Sequence, residues 1–420
     1  MKNILNREPI FRTSDEKGKH HFFGYYDKCP WSKNERFLLT LETDLIDRLP
    51  TEEDVASVGI IDLEGDKKFK KLAETRAWNF QQGCMLQWLG PDFNERIIFN
   101  DFRNNRFVSV IFNIKTDKEE KEIPFPIYAV HPSGEFALSV DFSLLNKMRE
   151  GYGYKGRAIN PGEGIYSINL ENNEKNNIAF LDVGQSWVDH ITFNPSGNKF
   201  AFLHRFKLKS GGFFSQFCVA SADHKTIDIK NSVLLTSGMA SHFVWKNDKE
   251  ILIWARPPGT PAKVGKNKFI KKLILPVYHA FVHSADLRQK ISGDGFLLFN
   301  IESRNFEKVG NGILIEDGHA SFSPDKSRLL TDTYAGRNKM RKLFLFNLLS
   351  KKLTEVRSFY ALPDKKFQVK GDWDSSNLRC DLHPRWNRDG TQVCIDSVHE
   401  GIRQIYVFDV SDILNEHGKN

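Results

Sequence analysis

Short apolar runs alternate with polar turns along the whole chain, and the alternation has a long period. A turn signal built from an aromatic or apolar residue, polar residues, Pro or Asn, and Asp, Ser or Gly recurs seven times, each time followed by an apolar run. The copies are WSKNERFLLTL from Trp31, WLGPDFNERIIF from Trp88, VHPSGEFALSV from Val130 and FNPSGNKFAFL from Phe193. WKNDKEILIWA from Trp245, FSPDKSRLLTD from Phe322 and WNRDGTQVCID from Trp386 complete the set. Pro before Ser or Asp and Gly favours a tight turn, and the flanking alternation favours strands, so each copy predicts a hairpin. A second apolar run follows each hairpin, from VGIIDLE after Ser57 to IYVFDVSD from Ile405, and leads into a mixed stretch such as KKLTEVRS. This predicts four strands per repeat and seven repeats of about 60 residues.

The pattern defines an all-β chain: one seven-bladed β-propeller of four-stranded antiparallel blades, near residues 16–77, 78–125, 126–182, 183–237, 238–313, 314–362 and 363–420. A pair of β-sandwiches is the competing all-β architecture, and it leaves the four-strand period unexplained. The last repeat runs out after its third strand near Asp412, so Glu8–Asp15 is expected to supply the outer strand and close the ring, removing an exposed edge. Ser143–Pro161 in blade 3 and Pro257–Asp294 in blade 5 exceed what a hairpin needs. Both fall between second and third strands and are predicted to cover a site.

Composition supports this picture and narrows the partners. The 420 residues would suggest two or three domains of roughly 150 residues, but a closed ring makes them one. With 34 Phe against 5 Met, the apolar content leans toward strands. The excess of 60 Lys+Arg over 53 Asp+Glu leaves +7, with no long block of like charge, so a nucleic-acid partner is not expected and an anionic ligand is compatible. Cys29, Cys84, Cys218, Cys380 and Cys394 show no CxxC spacing, which argues against a zinc knuckle or a disulfide framework. MKNILNREPIF lacks the apolar core of a secretory signal, and the most apolar stretch, Leu273 to Val282, is broken by Pro276 and His279. A cytoplasmic protein without a membrane span is expected, or a periplasmic one if the chain is a processed form.

Four blades share one further feature. His190, His242, His319 and His383 each stand three residues before the aromatic residue that opens the turn. First strands line the channel of a propeller, so four imidazoles are expected at one end of it. The loops between second and third strands open on the same face and carry Arg103, Arg205, Arg256, Arg337, and His399 with Arg403. The blade 3 insertion adds Arg149, Tyr152, Tyr154 and Arg157, while Tyr25, Tyr26 and Gln82 come from blades 1 and 2. Guanidinium forks bind carboxylate or sulfate, and imidazoles serve as metal ligands or as proton carriers near neutral pH. Asp189, Asp317, Asp332, Asp381 and Asp396 are expected to orient those imidazoles. No GxSxG, P-loop or dinucleotide fingerprint is present.

Through DGHASFSPDKSRLLTDTY from Asp317, DLHPRWNRDGTQVCIDSVHEGIRQIY from Asp381 and QQGCMLQW from Gln81, the chain resembles the seven-bladed propeller polysaccharide lyases, the oligogalacturonate lyases among them. The resemblance implies β-elimination at a uronic acid in an anionic oligo- or polysaccharide. It also implies one divalent metal (manganese, zinc or calcium) held by histidines and a glutamine on the late blades. His319 and His383 match the histidine positions and His242 is the expected third ligand, whereas Arg379 and Asp381 stand where the glutamine belongs. Related propeller lyases for sulfated uronans work without a catalytic metal, and His190 as base with Arg205 as carboxylate partner suits that scheme. Tyr334 or Tyr26 is the expected proton donor. Tyr25, Tyr26, Gln82, Arg103, Arg256, Arg337, His399 and Arg403 are the expected substrate-binding residues. A non-catalytic glycan-binding or scaffold propeller uses the same face without turnover. A TolB-like propeller from a peptidase system is disfavoured, because the blades consume the chain.

Overall fold

The computed structural model describes residues 3–13, 18–156, 163–181, 184–209, 212–223, 225–258, 293–363, 365 and 377–415. Within them lie seven antiparallel four-stranded sheets, one of which carries a fifth strand. In blades 1 to 6 consecutive strands pair in sequence order; blade 1, for example, runs His20–Phe22, Phe37–Thr43, Ala56–Asp62 and Phe69–Thr75. Second and third strands are packed between neighbouring blades and are accordingly apolar on both faces, as in Arg106–Asn113. The fourth strand of blade 2, Lys118–Ile123, is mostly exposed and largely charged. No helix among the described residues is long and apolar enough to cross a membrane.

The recurring tryptophan of the turn signal has a physical role between blades. The indole N–H of Trp88 donates to Pro30 O, that of Trp245 to Thr192 O, and that of Trp386 to Ser321 O. Each acceptor is the residue just before the corresponding turn of the preceding blade. A buried indole needs an acceptor, and the backbone carbonyl of the neighbouring blade supplies it, so the same position repeats around the ring.

The N-terminal segment closes that ring. Phe11–Arg12 pairs antiparallel with Tyr406–Val407 as the outer strand of blade 7. Asn3–Ile4 goes further, pairing parallel with Thr354–Glu355 on the outer edge of blade 6. Side chains reinforce the joint: Arg12 pairs with Glu400 at 2.5 Å, Tyr406 donates to Glu400 at 3.0 Å, and Arg7 pairs with Asp412. His399 also belongs here. It packs on Tyr406 and Phe359, outside the channel where it was expected.

The joint is acid-sensitive in a defined direction. Burial pushes the His399 imidazole down to about 4, so the open chain takes up its proton first. Stability is therefore lost as pH falls from 6.5 toward 4. Burial tends to raise the Glu400 carboxyl, but its bonds to Arg12 and Tyr406 hold it below the usual range. Its contribution is present above 4.5 and is lost as pH falls through the depressed value. Hydrogen exchange, corrected for intrinsic rates, is expected to show Ile10 and Thr13 losing protection over this range before the interior strands do. Uniform loss across all blades would refute a weak closing strand.

Candidate active site at the axial channel

The four in-register histidines converge. Ring centroids of His242 and His319 lie 4.2 Å apart, those of His319 and His383 4.4 Å, and those of His190 and His242 6.3 Å. All four are at least 96% buried. Local distortions of the ladder accompany two of them, His190 and His242. The register of Ser186–Phe193 against Lys199–Lys207 slips between Asp189 and Thr192, and His190 takes φ +58° at the slip. A second slip lies between Ala240 and Phe243, around His242. Bulges of this kind redirect a side chain out of the sheet pattern, and a non-glycine residue held at positive φ near a cleft is typical of a constrained functional position.

Tyr25 fills the centre of this group. Its ring stacks on His190 (4.8 Å, 10°), meets His383 at 4.9 Å and His319 at 5.8 Å. It arrives on an excursion of the innermost strand of blade 1: Phe22 pairs with Leu41 and Trp31 bridges Leu38, so the residues between them leave the sheet. Gly24 permits this. At φ +127°, a Cβ there would stand 2.8 Å from the Gln82 carbonyl, so only glycine lets the two backbones meet. Arg385, paired with Asp396 at 3.1 Å, donates to the carbonyls of Gly24 and Tyr25 and fixes the loop. The same contact brings in Gln82, which donates to the Tyr128 hydroxyl at 2.8 Å; that hydroxyl accepts from the His190 amide at 2.9 Å.

Tyr26 is locked differently. Its hydroxyl donates to Phe243 O (2.8 Å) and accepts from Phe243 N (2.9 Å), which ties blade 1 to blade 5 across the channel. With both functions engaged, Tyr26 is a structural bridge between the two blades. The Tyr334 hydroxyl is 3.4 Å from His242 Nε2, while His242 Nδ1–H donates to Asp317 at 3.0 Å. Burial foremost, then Asp381 and Asp317, raises the Tyr334 phenol, so it keeps its proton. Burial likewise lowers His190, His242 and His383 below the usual imidazole range, which makes them neutral.

The carboxylates divide into two kinds. Asp317 and Asp332 orient His242 and His319, as expected. Asp189, Asp381 and Asp396 instead hold arginines. Asp189 accepts from Arg205 Nε at 2.8 Å and Arg149 Nη1 at 2.9 Å; Asp381 accepts from Arg341 at 3.1 Å and Arg379 at 2.8 Å. Arg205 also donates to Ser215 and is only 3% exposed, so it stands behind the site. Arg149, from the blade 3 insertion after the helix Phe142–Met148, and Arg379 flank Tyr152 and keep partial exposure.

Other expected ligands for substrate lie away from this centre. Arg103 is spent on Asp101, Glu119 and Glu122 at the outer strand of blade 2. Arg256 pairs with Asp294 and clasps the two ends of the blade 5 insertion, whose residues 259–292 lie outside the described residues, as does Arg157. Arg403 is buried against Phe22 and Phe80 and donates to Leu378 O. Arg337 is exposed. Arg341, Tyr128 and Arg385 are central residues that the sequence pattern did not mark.

A divalent metal has a fitting donor set. His319, Asp381 and His383 each bring one ligand atom within 4.8 Å of the others. His383 Nε2 is buried with no hydrogen-bond partner among the described residues. His319 Nδ1–H is held by Asp332, the carboxylate–imidazole arrangement that presents the other ring nitrogen to a metal. Asp381 is the third member of this group, where His242 was expected, and its oxygens retain lone pairs beyond the two guanidinium bonds; both His242 ring nitrogens face other partners, Asp317 and Tyr334.

The fold and this centre define a seven-bladed β-propeller with a histidine-lined axial site. Solved oligogalacturonate lyases share the fold. One in complex with manganese matches at a TM-score of 0.61 with 14% identity, over 96% of this chain and 98% of that one. Another, from Vibrio parahaemolyticus, matches at 0.59 with 13% identity, over 98% and 99%. A prolyl endopeptidase matches at 0.51 with 8% identity, over 93% of this chain and 47% of that one. At these identities the likeness is one of fold. No known protein-family profile and no curated protein sequence matches the chain.

Proposed function

We propose that this protein is a carbon–oxygen lyase that cleaves a uronic-acid-containing oligo- or polysaccharide by β-elimination. The observation that carries the reading is the convergence of four in-register histidines on one buried centre, with a half-buried phenol and guanidinium at its edge. In such a reaction a base removes the C5 proton, the C5 electron pair forms the C4=C5 double bond, and the C4–O bond breaks. The departing oxygen takes a proton from an acid.

His190 supplies the base. Arg149 Nη1 faces its Nε2 at 3.5 Å and the Tyr25 hydroxyl faces it at 3.4 Å, so the lone pair of the neutral ring lies at Nε2. Both contacts are long and are readily displaced by substrate. Tyr334 supplies the acid from beside His242. Each of its neighbours bears on the same proton: His242 accepts from it, and Asp317 fixes the His242 tautomer. His319, His383 and Asp381 would hold a divalent cation, whose Lewis acidity stabilises negative charge developing on the uronate.

Incubation with a panel of uronans, with and without added manganese, is expected to give an unsaturated product followed by its ultraviolet absorbance. Binding of a uronan without product, in either condition, would leave a non-catalytic glycan-binding propeller as the better description.

A further inference from the structure

We infer that Arg149, carried into the channel by the blade 3 insertion, receives the carboxylate of the sugar whose proton His190 removes, and that Arg205 serves to position it. The inference rests on the lyase reading above and assigns a residue which that reading leaves open. In a uronate the carboxylate is attached to the carbon that loses its proton. The group that binds it must therefore stand beside the base, and Arg149 Nη1 is 3.5 Å from His190 Nε2.

Three further observations point to the same residue. The Arg149 guanidinium lies over the Tyr152 ring, 3.4 Å from its centroid, which fixes the plane of the fork. Among the described residues only Nη1 is hydrogen-bonded, to Asp189 and toward His190, so the donors of the edge formed by Nε and Nη2 are not engaged by any of them. That edge matches a carboxylate bidentately. The charges also call for an anion. Asp189 carries one negative charge against two guanidiniums, and the surplus sits at the partly exposed end of the cluster, where the Arg149 side chain keeps 19% exposure. Arg205 lacks these properties. Its Nε and Nη1 are held by Asp189 and Ser215 and it is 3% exposed, so it reaches substrate only through the carboxylate that aligns Arg149.

The test combines calorimetric binding of a saturated, elimination-resistant oligouronate with kcat/KM for a uronate and for its methyl ester. Arg149→Gln is expected to weaken binding about 30-fold and to lower the acid-to-ester ratio of kcat/KM by a similar factor. Arg149→Lys keeps a positive charge against Asp189 without the fork and is expected to fall between the two. Unchanged binding in Arg149→Gln overturns the assignment, as does an equal loss of kcat/KM on acid and ester. Should Arg149→Gln fail to fold, as judged by its circular dichroism, wild-type binding by Arg149→Lys overturns it instead. Strong, Arg149-dependent binding without cleavage keeps the carboxylate site and removes the lyase reading. Wild-type protein that binds no uronate removes both.

Discussion

Replacing Asp189 by alanine is expected to cost the folded protein about 3–5 kcal/mol, read as a lowered midpoint of denaturant unfolding. The carboxylate is fully buried and stands between Arg205, itself 3% exposed, and Arg149. Its loss leaves the Arg205 guanidinium with Ser215 as its hydrogen-bond acceptor and no counter-charge beside it. Taking one partner from a buried ion pair costs far more than the pair contributes, because the remaining charge stays desolvated. Asp189→Asn keeps an acceptor oxygen and is expected to lose less. The pH dependence has a fixed sign. Burial alone would raise this carboxyl, but Arg205 leads the groups that hold it well below its ordinary 3.8. Wild type should therefore keep its advantage over Asp189→Ala above pH 4 and lose it as pH falls through the depressed value. A difference under about 1 kcal/mol near neutrality would mean that the arginines find solvent or other partners when Asp189 is gone.

That expectation depends on a feature the sequence shows only in half. The turn signals and the apolar runs after them locate the strands, and the −3 register places His190 and His242 on two innermost strands and His319 and His383 just before two others, where the structure brings all four together. Register along a strand specifies which face of the ring a residue occupies. It does not specify distance from the axis. Arg103, Arg256 and His399 share a face with the histidines but find Glu119, Asp294 and Tyr406 farther out, because the loops between second and third strands start midway along each blade. Arg149 reaches the axis because its loop is long enough to fold back, through the helix Phe142–Met148 and the stacking of Tyr154 on Phe142. Arg205 and Asp189 sit on adjacent strands as diagonal neighbours, Asp189 opposite Leu203 and Arg205 opposite Trp187 two positions along the ladder. Their pairing was legible only once that register was known. Tyr25 presents the opposite case. HHFFGYYD was expected to bring Tyr25 and Tyr26 to the site face, but only the backbone contact between Gly24 and Gln82 shows that the segment leaves the sheet and sets Tyr25 among the histidines.

His190→Ala is expected to lower kcat for elimination about 10³-fold with little change in the affinity for an unreactive oligouronate. The ring is positioned by more than one constraint. Its backbone is held at φ +58° by the slipped register, its amide donates to Tyr128, and its face is covered by Tyr25. Such a ring loses little freedom when substrate binds, so its removal should appear in the chemical step rather than in binding. Burial dominates its electrostatics and lowers its proton affinity well below the ordinary 6.5, with Arg205 and Arg149 adding to the effect and Asp189 opposing it. A base of that kind is already unprotonated at pH 6.5, so the acid limb of kcat/KM should lie below that value, whereas an exposed histidine would lose activity through it. Added imidazole is expected to restore part of the rate to His190→Ala, since the deletion opens a ring-sized space between Tyr25 and Arg149. Retention of activity within about tenfold would move the base elsewhere, with the Tyr25 hydroxyl, 3.4 Å from the same nitrogen, the first group to substitute. Loss of rate without imidazole rescue, but with the affinity intact, would instead assign His190 to holding Tyr25 in place.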